Sequence, residues 1–167
     1  MTTPENLTGP THASAATDAT DPTTDAPSAR RTVDIDRTGP STYLARNARG
    51  GELRVSATGD ADFTPVELLL VALGACSAVD VDTVTARRVE PDRFTVRVEG
   101  DKVRLNGGNM LTDLVVSFDV RFPEGPEGDA ARDVLPRALR ISHERSCTVS
   151  RTVEAGTPVA MRLVEPS

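Results

Sequence analysis

Three runs that follow residue 30, RTVDIDR, STYLARNA and GELRVSAT, alternate apolar and polar positions and are broken by Gly39-Pro40 and Gly50-Gly51. Alternation with a period of two between turn formers predicts a strand meander. The pattern then changes. Residues 63–82, FTPVELLLVALGACSAVDVD, are mostly apolar without alternation and predict a helix. Thr64 suits its N-cap, Pro65 its first position, and Glu67 completes a capping box; the helix should run to about Arg88 and stop before Pro91. Alternation returns in DRFTVRVEGDKVRL and LTDLVVSFDVRF, with NGGN between them, which predicts a hairpin with a long loop. FPEGPEG reads as a loop. DAARDVLPRALRIS reads as a second helix, with Leu135, Leu139 and Ile141 on its apolar side and a kink at Pro136. CTVSRTVE fits a short helix and a strand equally, and TPVAMRLVE reads as a final strand. The order βββ-α-ββ-α-(α)-β makes the chain α+β with an antiparallel sheet.

Composition adds a boundary. Residues 1–30 are Thr, Ala, Pro, Asp and Ser with almost nothing to bury, so they are expected to form a disordered tail, and residues 31–167 the folded domain. The net charge is −6, and Glu5, Asp18, Asp21 and Asp25 of the tail supply four of those charges, so the domain is nearly balanced. No basic stripe points to nucleic acid. The longest uncharged apolar run, residues 68–79, falls short of the ~20 residues that cross a bilayer. With no secretory pattern at the start, a soluble cytoplasmic protein is the expectation. The length of 167 residues is enough for one self-sufficient core, so neither a metal nor a disulfide is needed to hold it.

The candidate chemistry lies in the two cysteines, Cys76 within LGACSA and Cys147 within ISHERSCTVSRTVE. Three readings compete. Cysteine is often a small buried hydrophobe, so both fit a packing role. Cys76, His143 and Cys147 would make three metal ligands, but CxxC and HxxxH spacings are absent. A redox pair needs a thiolate, a group that depresses its pKa and a resolving thiol. A cysteine in mid-helix gains little from the helix dipole, so the activating charge must come from elsewhere, with an arginine the natural source. Spacing alone does not choose between packing and redox.

TPVELLLVALGACSAVDV together with SHERSCTVSRTVE resembles the two cysteine motifs of the OsmC-like family, the osmotically inducible and organic hydroperoxide resistance proteins, over roughly residues 33–165. The resemblance implies an OsmC-like fold, with antiparallel sheets packed on a central cysteine-bearing helix, in an intertwined homodimer with both active sites at the subunit interface. It implies that Cys76 attacks an organic hydroperoxide and becomes a sulfenic acid, that Cys147 condenses with it to a disulfide, and that a dithiol, a lipoyl group in better-known members, reduces that disulfide. No cofactor and no metal are implied. Among the arginines of ARNARGGELRV, Arg49 beside Gly50-Gly51 matches the family's activating arginine best, ahead of Arg46 and Arg54. The best-studied hydroperoxide-resistance members carry a glutamate directly after the helix-opening proline. That position is Val66 here, and the glutamate stands one residue later, at Glu67. Nine residues along a helix is about 900°, half a turn out of phase and roughly 13 Å of rise, so Glu67 reaches a Cys76 only through a helix break or across the dimer. The pattern is closer to a less-characterised branch of the family than to its dedicated peroxidases. A non-catalytic member, holding a small apolar or thiol ligand in an interface pocket, is the alternative.

Overall fold

The computed structural model describes residues 29–59 and 61–165. The expected disordered tail, residues 1–30, lies outside the described residues except for its last two, which are exposed and irregular. From Val33 onward the chain forms a separate unit.

The meander forms as expected. Strands β1 (Val33–Gly39), β2 (Thr42–Asn47) and β3 (Glu52–Ser56) make an antiparallel sheet in the order β1-β2-β3. Arg46 on the middle strand bridges both neighbours, reaching Asp36 at 2.7 Å and Glu52 at 2.8 Å. The sheet touches the remaining elements only marginally. Its apolar side chains Val33, Ile35, Tyr43 and Leu53 stay exposed.

Helix α1 (Pro65–Thr85) carries the capping box read from the sequence: Glu67 N–H donates to Thr64 Oγ1 at 3.2 Å and Thr64 N–H to Glu67 Oε2 at 2.8 Å. The helix ends three residues short of the expected Arg88, where the chain turns at residues 86–88. Its 21 residues are long and apolar enough to span a bilayer, more than the sequence reading allowed. Packing against β4 (Arg93–Leu105), α2 (Pro126–Ile141) and α3 (Thr148–Glu154) makes it instead the core helix of this fold. One stripe of α1, Leu73, Ser77, Val81 and Thr85, is buried at a spacing of four. Elsewhere on the helix Leu69, Val71, Val79 and Val84 are exposed although apolar. A helix apolar all round has surfaces for more neighbours than one chain supplies here.

The hairpin departs from the sequence reading. β4 and β5 (Gly108–Arg121) pair up to Leu105↔Gly108, so the connection is two residues and not a long loop. Asn106 (φ 50) and Gly107 (φ 82) both take the left-handed conformation that a tight turn of matching twist demands, and Asn-Gly supplies it at little cost. The second helix begins earlier than expected: Pro126 opens α2, so the loop FPEGPEG is cut short, and Pro136 lies inside the helix.

The ambiguous CTVSRTVE is helical and forms α3. The predicted last strand does not form. Residues 157–165 are irregular, with Val159, Met161 and Leu163 at 84%, 93% and 98% exposure. A strand needs the N–H and C=O groups of a neighbour, and among the described residues no strand runs alongside this segment.

The approach of α1 to the hairpin depends on Gly74, two residues before Cys76. A Cβ there would stand 2.6 Å from Val98 Cγ2, on a stiff β-branched side chain. Gly74→Ala is therefore expected to lower unfolding stability by about 1–3 kcal/mol through overpacking, read as a lower thermal midpoint by circular dichroism.

Candidate active site

Two elements distant in sequence bring the thiols together. Cys76 lies on α1 beside the buried stripe and is partly accessible, while Cys147 is fully buried at the start of α3. Both are free thiols. Ser77, the residue after Cys76, donates its hydroxyl to Cys147 Sγ at 3.4 Å, which brings both cysteines to one neighbourhood between α1 and α3, and the Cys147 sulfur helps raise the Cys76 pKa.

The chain path around Cys147 explains how it turns inward. α2 runs directly into one π-helical turn, Ser142–Ser146, closed by Cys147 N–H donating to the Ser142 carbonyl at 2.8 Å. Cys147 then leaves the helix (φ −68, ψ 98) and caps α3 with its sulfur, which accepts from Ser150 N–H at 3.5 Å. Such widened turns recur at functional sites. Ser142, also buried, donates its hydroxyl to Asp80 Oδ2 on α1 at 2.9 Å, which ties the π turn to the cysteine helix. His143, Glu144 and Arg145 consequently point outward and are exposed. The His143 ring faces Glu154 at 3.6 Å. Among the described residues no three His, Cys, Asp or Glu side chains converge in a metal-ligating cluster.

The two sulfurs differ electrostatically. Burial pushes the Cys147 thiol up, but the Ser150 hydroxyl (3.2 Å), the Ser77 hydroxyl (3.4 Å), the Ser150 N–H and Cys76 together outweigh it, so its pKa is lowered. Burial also raises the Cys76 pKa, and the Cys147 sulfur adds to that rise; the backbone N–H groups of Val149 and Thr148 oppose it without reversing it. The first turn of α3 thus directs its backbone donors at both sulfurs.

Ser77 and Ser150 were not singled out in the sequence. The signals were Ser77 sitting next to Cys76 and the Cys-x-x-Ser spacing of Cys147 and Ser150, which mimics a helix cap with sulfur in place of oxygen. Glu67 is where the capping box puts it, bound to Thr64 and away from the Cys76 of its own unbroken helix. It lines an apolar hollow of about 430 Å³ between α1 and β4, with Phe63, Leu70, Val71, Val96 and Val98. Of the three candidate arginines, Arg46 is engaged by Asp36 and Glu52, and Arg54 by Asp62 at 3.0 Å. Arg49 lies exposed in the β2–β3 turn, its backbone N–H on Asn47 Oδ1 at 2.8 Å, and among the described residues no carboxylate pairs with its guanidinium. No arginine figures among the chief influences on either sulfur.

A family model of OsmC-like proteins matches residues 57–162. An uncharacterized protein of Mycobacterium tuberculosis, Rv2923c, is 34% identical over 133 residues, covering 78% of this chain and 94% of that protein. Two solved structures share the fold. One, a hypothetical protein from Aquifex aeolicus, has a TM-score of 0.62 at 21% identity, over 78% of this chain and 91% of its own. The other, an OsmC-like protein of unknown function from Vibrio cholerae, has a TM-score of 0.61 at 14% identity, over 76% and 95%.

The cap at Glu67 has a pH signature. The Thr64 backbone N–H, then the Thr64 hydroxyl, hold the Glu67 carboxylate below its ordinary 4.5. A depressed folded value contributes stability above the unfolded pKa and loses it as pH falls through the folded one. The melting temperatures of the protein and of Glu67→Ala should therefore differ near neutral pH and converge in acid below the ordinary glutamate range. Thr64→Ala should cost about 1 kcal/mol near neutrality, measured by urea unfolding.

Proposed function

This chain belongs to the OsmC-like protein family, and from that premise we propose that it is a cysteine-based thiol peroxidase acting on organic hydroperoxides. The observation that supports this reading is the juxtaposition of Cys76 and Cys147, two free thiols from separate elements that share one hydrogen-bonded site. The Cys76 thiolate attacks the distal peroxide oxygen, the O–O bond breaks, and an alcohol leaves after taking a proton. The Cys147 thiolate then attacks the sulfur of the Cys76 sulfenic acid, forming the S–S bond and releasing hydroxide. A small dithiol or a lipoyl protein returns both thiols by exchange. The hollow lined by Leu73, Leu114, Phe118 and Leu139 together with Ser77 and Ser150, the two serines that hold the Cys147 sulfur, would suit an alkyl peroxide better than hydrogen peroxide. The reaction uses neither metal nor cofactor, and it belongs in the cytoplasm, where thiols are kept reduced.

The working unit in this reading is an intertwined homodimer. The detached β1–β3 sheet, the exposed apolar face of α1 and the unpaired run at residues 157–165 are all surfaces that a second copy would cover. In that assembly Arg49 of one copy supplies the guanidinium that the thiols lack within their own chain, and Glu67 orients it across the interface. A second reading is favoured by the raised Cys76 pKa, Val66 and the commitment of Glu67 to its cap: an OsmC-fold protein that binds a small apolar or thiol ligand at the interface without turnover.

The test uses reduced full-length protein, cumene or tert-butyl hydroperoxide, and dihydrolipoamide. Peroxide consumption is expected, with Cys76→Ser slowing it by roughly 100-fold or more and Arg49→Ala lowering kcat/KM by roughly 100-fold. Absence of turnover, or equal turnover by Cys76→Ser, would remove the peroxidase reading. Slow alkylation of native Cys76 with no disulfide after mild oxidation would establish the binding reading.

A further inference from the structure

We propose that Cys147 is the base that activates Cys76 as well as the thiol that resolves it, and that Ser77 and Ser150 are positioning residues that keep the negative charge of the reduced pair on Cys147. The geometry is that of a sulfur built to hold charge. Three donors reach Cys147 Sγ: the Ser150 hydroxyl at 3.2 Å, the Ser77 hydroxyl at 3.4 Å and the Ser150 N–H at 3.5 Å. Both hydroxyls come from buried serines, one on α1 and one on α3, so the donors converge from separate elements. A thiol is a weak acceptor, whereas a thiolate rewards such donors, because hydrogen bonds to a charged group are about twice as strong as neutral ones. Cys147 is fully buried, so water does not replace a lost donor.

The charged groups around the pair are otherwise engaged or turned away. On α1, Asp80 accepts from the Ser142 hydroxyl. On the π turn and α3, Arg151 donates to the Glu144 carbonyl at 2.7 Å, His143 faces Glu154, and Arg145 is exposed. On α2, Arg137 and Arg140 make no described ion pair and do not figure among the chief influences on Cys147. Cys76 is the titratable group that figures among the chief influences on Cys147, and it lies next to Ser77, whose hydroxyl reaches the Cys147 sulfur.

The proton cycle closes without another side chain. The Cys76 S–H proton passes to the Cys147 thiolate as the Cys76 sulfur attacks the distal oxygen of the hydroperoxide. The O–O bond breaks, and Cys147 returns that proton to the departing alkoxide, which leaves as alcohol. Cys147 is again a thiolate, and it displaces hydroxide from the Cys76 sulfenic acid to form the disulfide. The peroxide is the two-electron oxidant.

The redox part of this cycle rests on the peroxidase reading; the placement of the charge does not, and the two are tested separately. Thiolate absorbance at 240 nm is followed against pH in reduced full-length Cys76→Ser, alone and combined with Ser77→Ala or Ser150→Ala. The remaining Cys147 should titrate below the ordinary cysteine value of about 8.5, and each alanine should raise that midpoint by roughly one unit, with Ser150→Thr restoring it. A midpoint at or above the ordinary value, or one unmoved by either alanine in folded protein, would overturn the placement. Should the alanine variants not fold, the ¹³Cβ shifts of cysteine-labelled wild type decide which sulfur ionises first; ionisation of Cys76 first would overturn it equally. The role as base is read in a single turnover with tert-butyl hydroperoxide. Cys147→Ser should slow sulfenic acid formation at Cys76 by at least tenfold near pH 7 and move its pH profile upward. Sulfenic acid formation at the wild-type rate and with the wild-type profile would leave Cys147 a resolving thiol only. Failure of wild type to consume any peroxide would sink the peroxidase reading while the titration still stands or falls by itself.

Discussion

At the start of α3 a sulfur occupies the place where a helix cap is usually an oxygen, and the rest of the site follows from that substitution. The cap requires Cys147 to leave helical geometry, which the π turn before it makes possible. Leaving the helix turns its side chain inward, against α1, where Ser77 meets it. The same step turns His143, Glu144 and Arg145 outward. One hydrogen-bonding requirement, that the first N–H groups of α3 find acceptors, therefore couples the end of the second helix to the middle of the first.

A second constraint acts on the whole chain. α1 is apolar on every side, and the described residues of its own chain cover only part of it. The β1–β3 sheet is internally well paired, with Arg46 joining all three strands, yet of its strand residues only Val55 and Ser56 are buried. Exposed apolar area of this extent marks a surface for interaction. The fold and the oligomeric reading are thus one question, and the donors at Cys147 are the part of the site that a single chain completes by itself.

Much of this was legible in the sequence because it is local. The capping box of Thr64 and Glu67, the meander and the alternation of β4 and β5 depend on residues a few positions apart. Alternation alone makes NGGN a four-residue loop, whereas its Asn-Gly pair by itself makes the turn and the next glycine already pairs. The final strand was misread because alternation states which faces a segment would have, not whether a neighbour exists. Ser77 and Ser150 were passed over because nothing in the sequence says that a neighbour of Cys76 and a residue three past Cys147 meet the same sulfur. Sequence could not place Arg49 relative to the thiols either, because the β2–β3 turn that carries it belongs to a sheet that barely touches the rest of its own chain.

The π turn has a consequence for how this chain tolerates insertions and deletions. Its five-residue span, Ser142–Ser146, contains one amino acid more than the hydrogen-bonding ladder of an α-helix would hold. Losing any one codon there would let the ladder close regularly and rotate everything downstream by about 100°. Cys147 and α3 would swing off the core while the strands and the first two helices kept their pairing. A reading-frame-preserving loss of a single residue at this spot would thus spare most of the scaffold and part the two thiols, which makes the length of this short segment, more than its composition, the quantity that selection would guard.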